Sequence, residues 1–474
     1  MHFKLVFALI VSLCVGATGV GAVSPERPNI VLIFTDDQGY ADLSCFGGTH
    51  VHTPRIDQMA LEGTRLTSFY MGAPLCTPSR AALMTGCYPR RIDMAYGSDF
   101  AVLLAGDTKG LNPAEITIAE VLKDAGYATG MFGKWHLGDQ PEFLPTRQGF
   151  DEFFGLPYSH DIHPQHPRQS HFGFPPLPLL EGESVIELDP NADLFTKRFT
   201  ERSVRFIEDH KDEPFFLYVP HPLPHVPLHV SPSTMDEVPG ALKAKLAKEG
   251  NSVNYSLRRS LFRNVINEID WSVGQILDTL KSNGLDERTL VIFTTDNGPA
   301  TGKADPLRGK KGSTFEGGPR VPAIVRWPGQ IPAGVDNDEV MTAMDLLPTF
   351  AKLAGTNAPS DRIIDGKDIW PVLTQNAPSP HEAIFIYRDN DLRAVRSGKW
   401  KLHLAPPANN ANKAAKPALY DLDSDIGEKK NVFAAHPEIV ARLQTYAQAF
   451  QRDVSLNNRP AAFVDSPEPL RLAE

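Results

Sequence analysis

The stretch "NIVLIFTDD", residues 29–37, runs from Ile30 to Phe34 without a polar interruption and then ends in Thr35 and two carboxylates. A short apolar run without alternation reads as a strand buried on both faces. Such strands belong to parallel sheets covered by helices. Three more stretches repeat the pattern: "YATGMFGKWH" (127–136), "PFFLYVPH" (214–221) and "TLVIFTTDNG" (289–298). Helix grammar lies between them. In "TPRIDQMALEG" (53–63) Thr53 is a cap, Pro54 the first helical residue and Gly63 a stop, and "NPAEITIAEVLKDAG" (112–126) repeats it. From 255 to 283, Leu257, Leu261, Val265, Ile269, Val273, Ile276 and Leu280 recur at helical spacing. The alternation predicts an α/β domain with a largely parallel, doubly covered sheet. Ligands of such sheets bind beyond the carboxyl ends of the strands. Asp36 and Asp37, Lys134 and His136, His225, and Asp296 and Asn297 all follow strand-like runs.

The chain has 474 residues, 42% hydrophobic and 22% charged, enough for one large domain and a smaller one. From about residue 376 the pattern changes to short antiparallel strands, a turn-rich segment and a helix at 436–451, so the division expected is 1–22, 23–375 and 376–474. Residues 1–22 read as an export signal: His2 and Lys4, an apolar Leu5–Val15, then Val20-Gly21-Ala22 as the cleavage site. No later segment is apolar enough to span a bilayer. A net charge of -10 argues against nucleic acid and anionic membranes as partners. Beyond the signal's Cys14 there are three cysteines, an odd number for an exported protein. At most Cys45 and Cys87 pair. The segment 160–180 is rich in His and Pro and reads as a surface loop that sets specificity, because the spacing of its four histidines fits no common metal site. "NYS" at Asn254 is a glycosylation sequon.

Cys76 stands before Thr77-Pro78, a cap and first-turn pair, with Gly86 as the stop. A helix N-terminus there favours an anion and lowers a thiol pKa. A phosphatase-type loop would need arginine six positions on, where Ala82 stands. Two carboxylate or amide pairs at strand ends, Asp36-Asp37 and Asp296-Asn297, suggest one oxygen cage suited to Ca²⁺ or Mg²⁺. Strand alternation would put Lys134 and His136 on one side, facing an anion, and Trp135 on the other. His225 sits in a proline-bracketed loop, and Lys310 and Lys311 precede "GSTFEGG".

The stretch "LCTPSRAALMTG" (75–86) resembles the signature of type I sulfatases. "NIVLIFTDDQGYADLSCFGG", "GKWHLG", "GLPYSHD", "TTDNG", "KKGSTFEGGPRVP" and "LYDLDSDIGEKKN" look like further blocks of that family in family order. The likeness leans toward the arylsulfatase A and N-acetylgalactosamine-6-sulfatase branch, mainly through "PYSHD". It implies an alkaline-phosphatase-like domain with a large, mostly parallel mixed sheet, plus a small C-terminal α+β domain with an antiparallel sheet. It implies hydrolysis of sulfate monoesters by a formylglycine hydrate made from Cys76 by a formylglycine-generating enzyme. The implied metal ligands are Asp36, Asp37, Asp296, Asn297 and the modified Cys76, around Ca²⁺ or alternatively Mg²⁺. Lys134 and Lys311 would bind sulfate, His136 would orient or deprotonate the hydrate, and His225 would protonate the leaving group. Arg80 would hold the nucleophile and the carboxylates. Ser159 and His160 would contact substrate. The alternatives are a phosphate or phosphonate monoester hydrolase, against which "GKWHLG" and "PYSHD" argue, and a non-catalytic binder of sulfated glycans.

Overall fold

The computed structural model describes residues 27–249, 253–404 and 417–472. The expected export signal, with Cys14, lies outside the described residues. Eleven strands form one mixed sheet. Across it the order is Val335–Asn337, Thr64–Tyr70, Arg320–Arg326, Thr289–Thr295, Asn29–Thr35, Phe215–Pro220, Ala128–Lys134, Glu152–Leu156, Pro178–Glu181 and Ser184–Leu188, with Met341–Thr342 alongside Thr64–Tyr70. The four central strands from 289–295 to 128–134, and Glu152–Leu156 beside them, are mutually parallel. Arg320–Arg326 runs against both its neighbours, so Thr64–Tyr70 points the same way as the central five.

Asn29–Thr35 is buried along its whole length. Its alternate side chains feed two separate cores, as a doubly covered strand requires. Ile30, Leu32 and Phe34 pack with Ile118, Phe150 and Phe350. Val31 and Ile33 pack on the other face with Phe199, Ile207, Ile269 and Val273, carried by helices Phe195–Asp209 and Phe262–Ser282. Each such aliphatic side chain contributes roughly 1.5–3 kcal/mol by leaving water.

Several local expectations shift. The helix expected from Asn112 starts at Ile118, because Thr117 and Glu120 form a reciprocal capping box that the Asn-Pro pair does not offer. The run 255–283 splits into Tyr255–Arg258, a 3₁₀ turn, and a 21-residue helix from Phe262. Asn254 caps the first piece by accepting from the Leu257 N–H at 3.0 Å. The 160–180 segment is largely loop, with one short helix, Gln169–Phe172, and strand Pro178–Glu181 at its end. Cys45 and Cys87 do not pair: Cys45, Cys76 and Cys87 are all free thiols.

A second sheet is antiparallel: Ile384–Arg388, Asp391–Ser397, Trp400–His403 and Ala418–Asp421. Helix Pro437–Leu456 lays Val440, Leu443 and Ala447 on it, and the cluster continues into Ala82, Tyr88 and Met344 of the larger body. Beside this apolar contact lies a fully buried ionic network. Lys401 Nζ is 2.9 Å from Glu316 and 3.0 Å from Glu428. Arg320 contacts Glu316 at 3.1 Å, His403 contacts Glu428 at 2.9 Å, and Tyr70 donates to Glu316. The Glu428 carboxylate also accepts the Glu316 backbone N–H at 2.6 Å.

Removing one partner from such a network leaves an uncompensated buried charge, at a cost of about 3–5 kcal/mol. Lys401→Met should lower the unfolding free energy by that order, read from urea midpoints. Burial raises the Glu316 pKa, but Lys401, Arg396 and Arg320 more than offset it and hold the carboxyl well below its ordinary 4.5. A depressed carboxyl stabilises the fold above its unfolded pKa and loses that contribution as pH falls. Thermal melts should therefore fall steeply below about pH 4.5, and less steeply in Glu316→Gln.

Candidate active site

Six parallel strands end at one edge of the large sheet, and the chemistry-bearing residues follow them. The register sets Thr35 against Thr295 and Phe34 against Pro220. Asp36 and Asp296 therefore emerge side by side. The Asp296 N–H donates to the Thr35 carbonyl at 3.2 Å, and the Asp37 N–H donates to Asp296 Oδ1 at 3.0 Å. Asp37 takes a left-handed φ of 65°, uncommon for a side chain with a Cβ and a conformation that gathers at functional sites.

Cys76 is the first residue of helix Cys76–Thr85, capped by the extended Leu75 and ended by Gly86 at φ 67°. Thr77 is not the cap. Its hydroxyl instead accepts the Leu103 N–H at 3.2 Å. The expected fall in thiol pKa does not occur: burial raises it, Lys134 and Lys311 pull it down incompletely, and Asp36 and Asp296 push it further up. At neutral pH Cys76 as a thiol is a poor nucleophile.

Arg80, one turn on, ties the edge together. It donates to Asp296 Oδ2 from Nε at 3.2 Å and Nη2 at 3.0 Å, and to the Lys134 carbonyl at 2.9 Å. Strand Ala128–Lys134 stops at Lys134. Gly133 just before it has φ 144°, and a Cβ there would lie 2.0 Å from the Pro220 carbonyl oxygen, so only glycine fits. Lys134 is fully buried and pairs with Asp36. His136 does not continue the strand alternation; a φ of 67° turns it into the site.

The protonation of His136 follows from its surroundings. Burial and the Lys134 charge lower its pKa well below 6.5, so the ring is neutral. Its Nε2 lies 2.9 Å from the Leu103 carbonyl, which only accepts, so Nε2 carries the proton. Nδ1 is then the basic nitrogen, and it is buried with no hydrogen-bond partner.

Lys311 lies 2.8 Å from Asp37 Oδ1, and Asn297 donates to that oxygen at 2.6 Å. His225 donates through Nδ1 to the Val226 carbonyl at 2.6 Å, leaving Nε2 3.6 Å from Asp37 Oδ2. Cys76, His136, Ser159, His225 and Lys311 line one cavity of about 270 Å³. Lys310, only a neighbour of the expected Lys311, donates to the Gly302 carbonyl at 3.0 Å. One expectation falls outside the cavity. His160 bonds the Pro227 carbonyl at 2.9 Å and lines a neighbouring cavity with His163, Asp193 and His229. Burial and the nearby His225 and His229 lower its pKa to about 3. His221 is structural, 3.1 Å from the Ser272 hydroxyl. Asp161, at the end of the "PYSHD" block, also lines the cavity, and no spacing in the sequence marks it. It stands 4.0 Å from His225 Nδ1 and is held ionised, since His225 and His160 more than offset the raising effect of burial.

The buried charges explain what the cluster can hold. Three carboxylates, Asp36, Asp37 and Asp296, face three cations, Arg80, Lys134 and Lys311. Burial, joined by the neighbouring Asp36, pushes Asp296 up to about 7 in spite of Arg80. Asp36 Oδ1 and Asn297 Oδ1 are buried oxygens without a hydrogen-bond partner. Ligand atoms of Asp36, Asp37 and His225 lie within 4.8 Å of one another. The oxygens of Asp36, Asp37, Asp296 and Asn297, two of them with spare lone pairs, are the donor type that fits a hard divalent cation, with His225 as a nitrogen neighbour.

Residues 28–356 match the family described as Sulfatase, and residues 310–453 match N-sulphoglucosamine sulphohydrolase, C-terminal. Human arylsulfatase A is 38% identical over 96% of this chain and 94% of its own length. N-acetylgalactosamine-6-sulfatase of Rattus norvegicus is 36% identical over 81% of this chain and 73% of its own. The crystal structure of Ps i-CgsB in complex with k-i-k-neocarrahexaose superposes with a TM-score of 0.76 at 32% identity, covering 92% of this chain and 95% of that one.

A cation that binds only the folded cage stabilises the protein by about 2.7 kcal/mol at a hundred times its Kd. Melts in 1,2-bis(2-aminophenoxy)ethane-tetraacetate against Ca²⁺ should differ by several degrees, and Asp37→Asn should erase the difference.

Proposed function

This chain belongs to the sulfatase family, a sulfuric ester hydrolase with an alkaline-phosphatase-like fold, and from that premise we propose that it cleaves sulfate monoesters with a formylglycine made from Cys76. The observation that carries the reading is the single cavity shared by Cys76, His136, His225 and Lys311. The raised thiol pKa supports it too, since an unmodified Cys76 has little thiolate to offer. The hydrated aldehyde supplies one hydroxyl to attack sulfur and a second to expel sulfate afterwards.

The chain's own residues do the rest. A divalent cation, Ca²⁺ or Mg²⁺, would be held by Asp36, Asp37, Asp296 and Asn297 with the modified Cys76, offsetting sulfate charge and polarising the hydroxyl. Lys134 and Lys311 would exchange their carboxylate contacts for sulfate oxygens once that cation takes up the carboxylates. His136 accepts the hydroxyl proton at Nδ1, its Nε2 being fixed on Leu103. His225, its Nδ1–H held on the Val226 carbonyl and Asp161 beside the ring, would carry a second proton on Nε2 and donate it to the leaving oxygen, separately from the proton taken up by His136. Ser159 adds a hydroxyl at the cavity wall. Arg80 fixes the spacing of helix, carboxylate and strand.

Aryl sulfates are the test substrates and sulfated sugars the natural class proposed, including glycosaminoglycans and algal polysaccharides. Export, and maturation by a formylglycine-generating enzyme, complete the proposal. No helix among the described residues is long and apolar enough to cross a membrane.

Protein from a host competent for the modification should turn over 4-nitrophenyl sulfate well above 4-nitrophenyl phosphate. Mass spectrometry of the Cys76 peptide should show the aldehyde; an intact, alkylatable thiol in active enzyme would sink the mechanism. Cys76→Ala should abolish turnover, and His136→Ala should cut kcat about 10²–10⁴-fold.

A further inference from the structure

The cavity above Cys76 has a second half that the chemistry does not use. Its wall is aromatic. Phe172 and Phe174 stack at 4.7 Å and 7°, Phe100 meets Phe172 edge-on at 6.0 Å, and His166 sits 5.4 Å and 5.3 Å from the two stacked rings. All four rings line the cavity. A flat apolar wall of this kind receives the face of a ring.

Two arginines complete the lining, from places far apart in the chain. Arg168 lies on the 160–177 loop with its guanidinium 4.6 Å from the Phe172 centroid. Arg388 ends strand Ile384–Arg388 of the C-terminal sheet. Among the described residues Arg168 has no carboxylate within ion-pair reach. Arg388 has only Asp389, its own neighbour, at 3.5 Å from Nε. The Arg388 side chain is 18% exposed, and its Nη1 is buried without a hydrogen-bond partner. In a chain of net charge -10, the buried guanidinium groups of Arg80, Arg91 and Arg320 are each matched by carboxylates, whereas Arg168 is exposed and Arg388 partly buried without such a match across the cavity. Guanidinium is the side chain whose planar fork fits sulfate and carboxylate oxygens.

We propose that Arg168 and Arg388, over the Phe172–Phe174 wall, form a subsite for a second anionic group on the substrate. The preferred substrate class is then a ring that carries the ester to be cleaved together with another sulfate or a carboxylate. This rests on reading the Cys76 cavity as a sulfate-ester site. Arg168 stacks on the wall and meets the second anion from the loop side. Arg388 meets it from the C-terminal sheet, so that sheet contributes directly to substrate choice.

The test separates the subsite from the reaction. Binding of galactose 6-sulfate, galactose 2,6-disulfate and galactose 4,6-disulfate to the Ca²⁺-loaded full chain is measured by calorimetry. Turnover of 4-nitrophenyl sulfate is measured separately on the wild type. At least one disulfate should bind the wild type about tenfold more tightly than the monosulfate. Arg388→Gln and Arg168→Gln should each shrink that gap, and the double variant should close it. Monosulfate binding by each variant reports that it is folded. Equal affinity of the wild type for all three sugars, or a gap that survives in the folded double variant, overturns the subsite. The gap without any ester turnover upholds the subsite and overturns the hydrolase reading.

Discussion

Three carboxylates buried at one point cannot stand without countercharge, and the architecture of the site follows from that constraint. Asp36, Asp37 and Asp296 are fully buried, and each has a cation at hand. The cations come from three different elements: Arg80 from the helix behind Cys76, Lys134 from a strand end, Lys311 from a loop. The electrostatic requirement therefore fixes tertiary geometry. Arg80 cannot reach Asp296 and the Lys134 carbonyl together unless helix, sheet and strand end stand as they do. The same cluster of carboxylates could hold a metal ion. With its charges balanced among side chains, an added divalent ion would leave it positive, as the proposed sulfate substrate requires.

The parallel sheet makes this concentration possible. Adjacent parallel strands deliver their carboxyl ends to one edge, and residues just past those ends are freed from the ladder while the strands hold their positions. Asp37 and His136 use that freedom most, both with a left-handed backbone. Such conformations cost of order 1–3 kcal/mol each, a cost met by the two-layered core beneath.

The C-terminal sheet is bound into the same scheme. Lys401 and Glu428 engage Glu316, and Arg308 donates to the Glu428 carbonyl at 2.6 Å, so the segment 308–316 carrying Lys311 is clamped from both sides. Tyr70 and Arg320 extend the network back into the large sheet. A residue at the catalytic edge thus depends on buried charges more than eighty positions later in the chain, far from the strand that feeds the cage.

Sequence alone determined the large features. Apolar runs such as Ile30–Phe34, each ending in polar residues, named the central strands and the edge where chemistry gathers, because burial on both faces leaves a local signature. Of the residues singled out from their blocks, Cys76, His136, His225 and Lys311 come to one cavity and Lys134 to the carboxylate cluster beside it. What lacked a local signature was read wrongly or left unread. The start of the helix at Ile118 turned on a capping box, the Cys76 pKa on burial outweighing the helix end, and the place of His136 on a backbone turn rather than strand alternation. The proton on His136 Nε2 and the meeting of Arg168 with Arg388 in one cavity were decided by tertiary structure only. Hydrophobic periodicity is written along the chain, whereas desolvation and charge pairing depend on which distant segments the fold brings within a few ångströms.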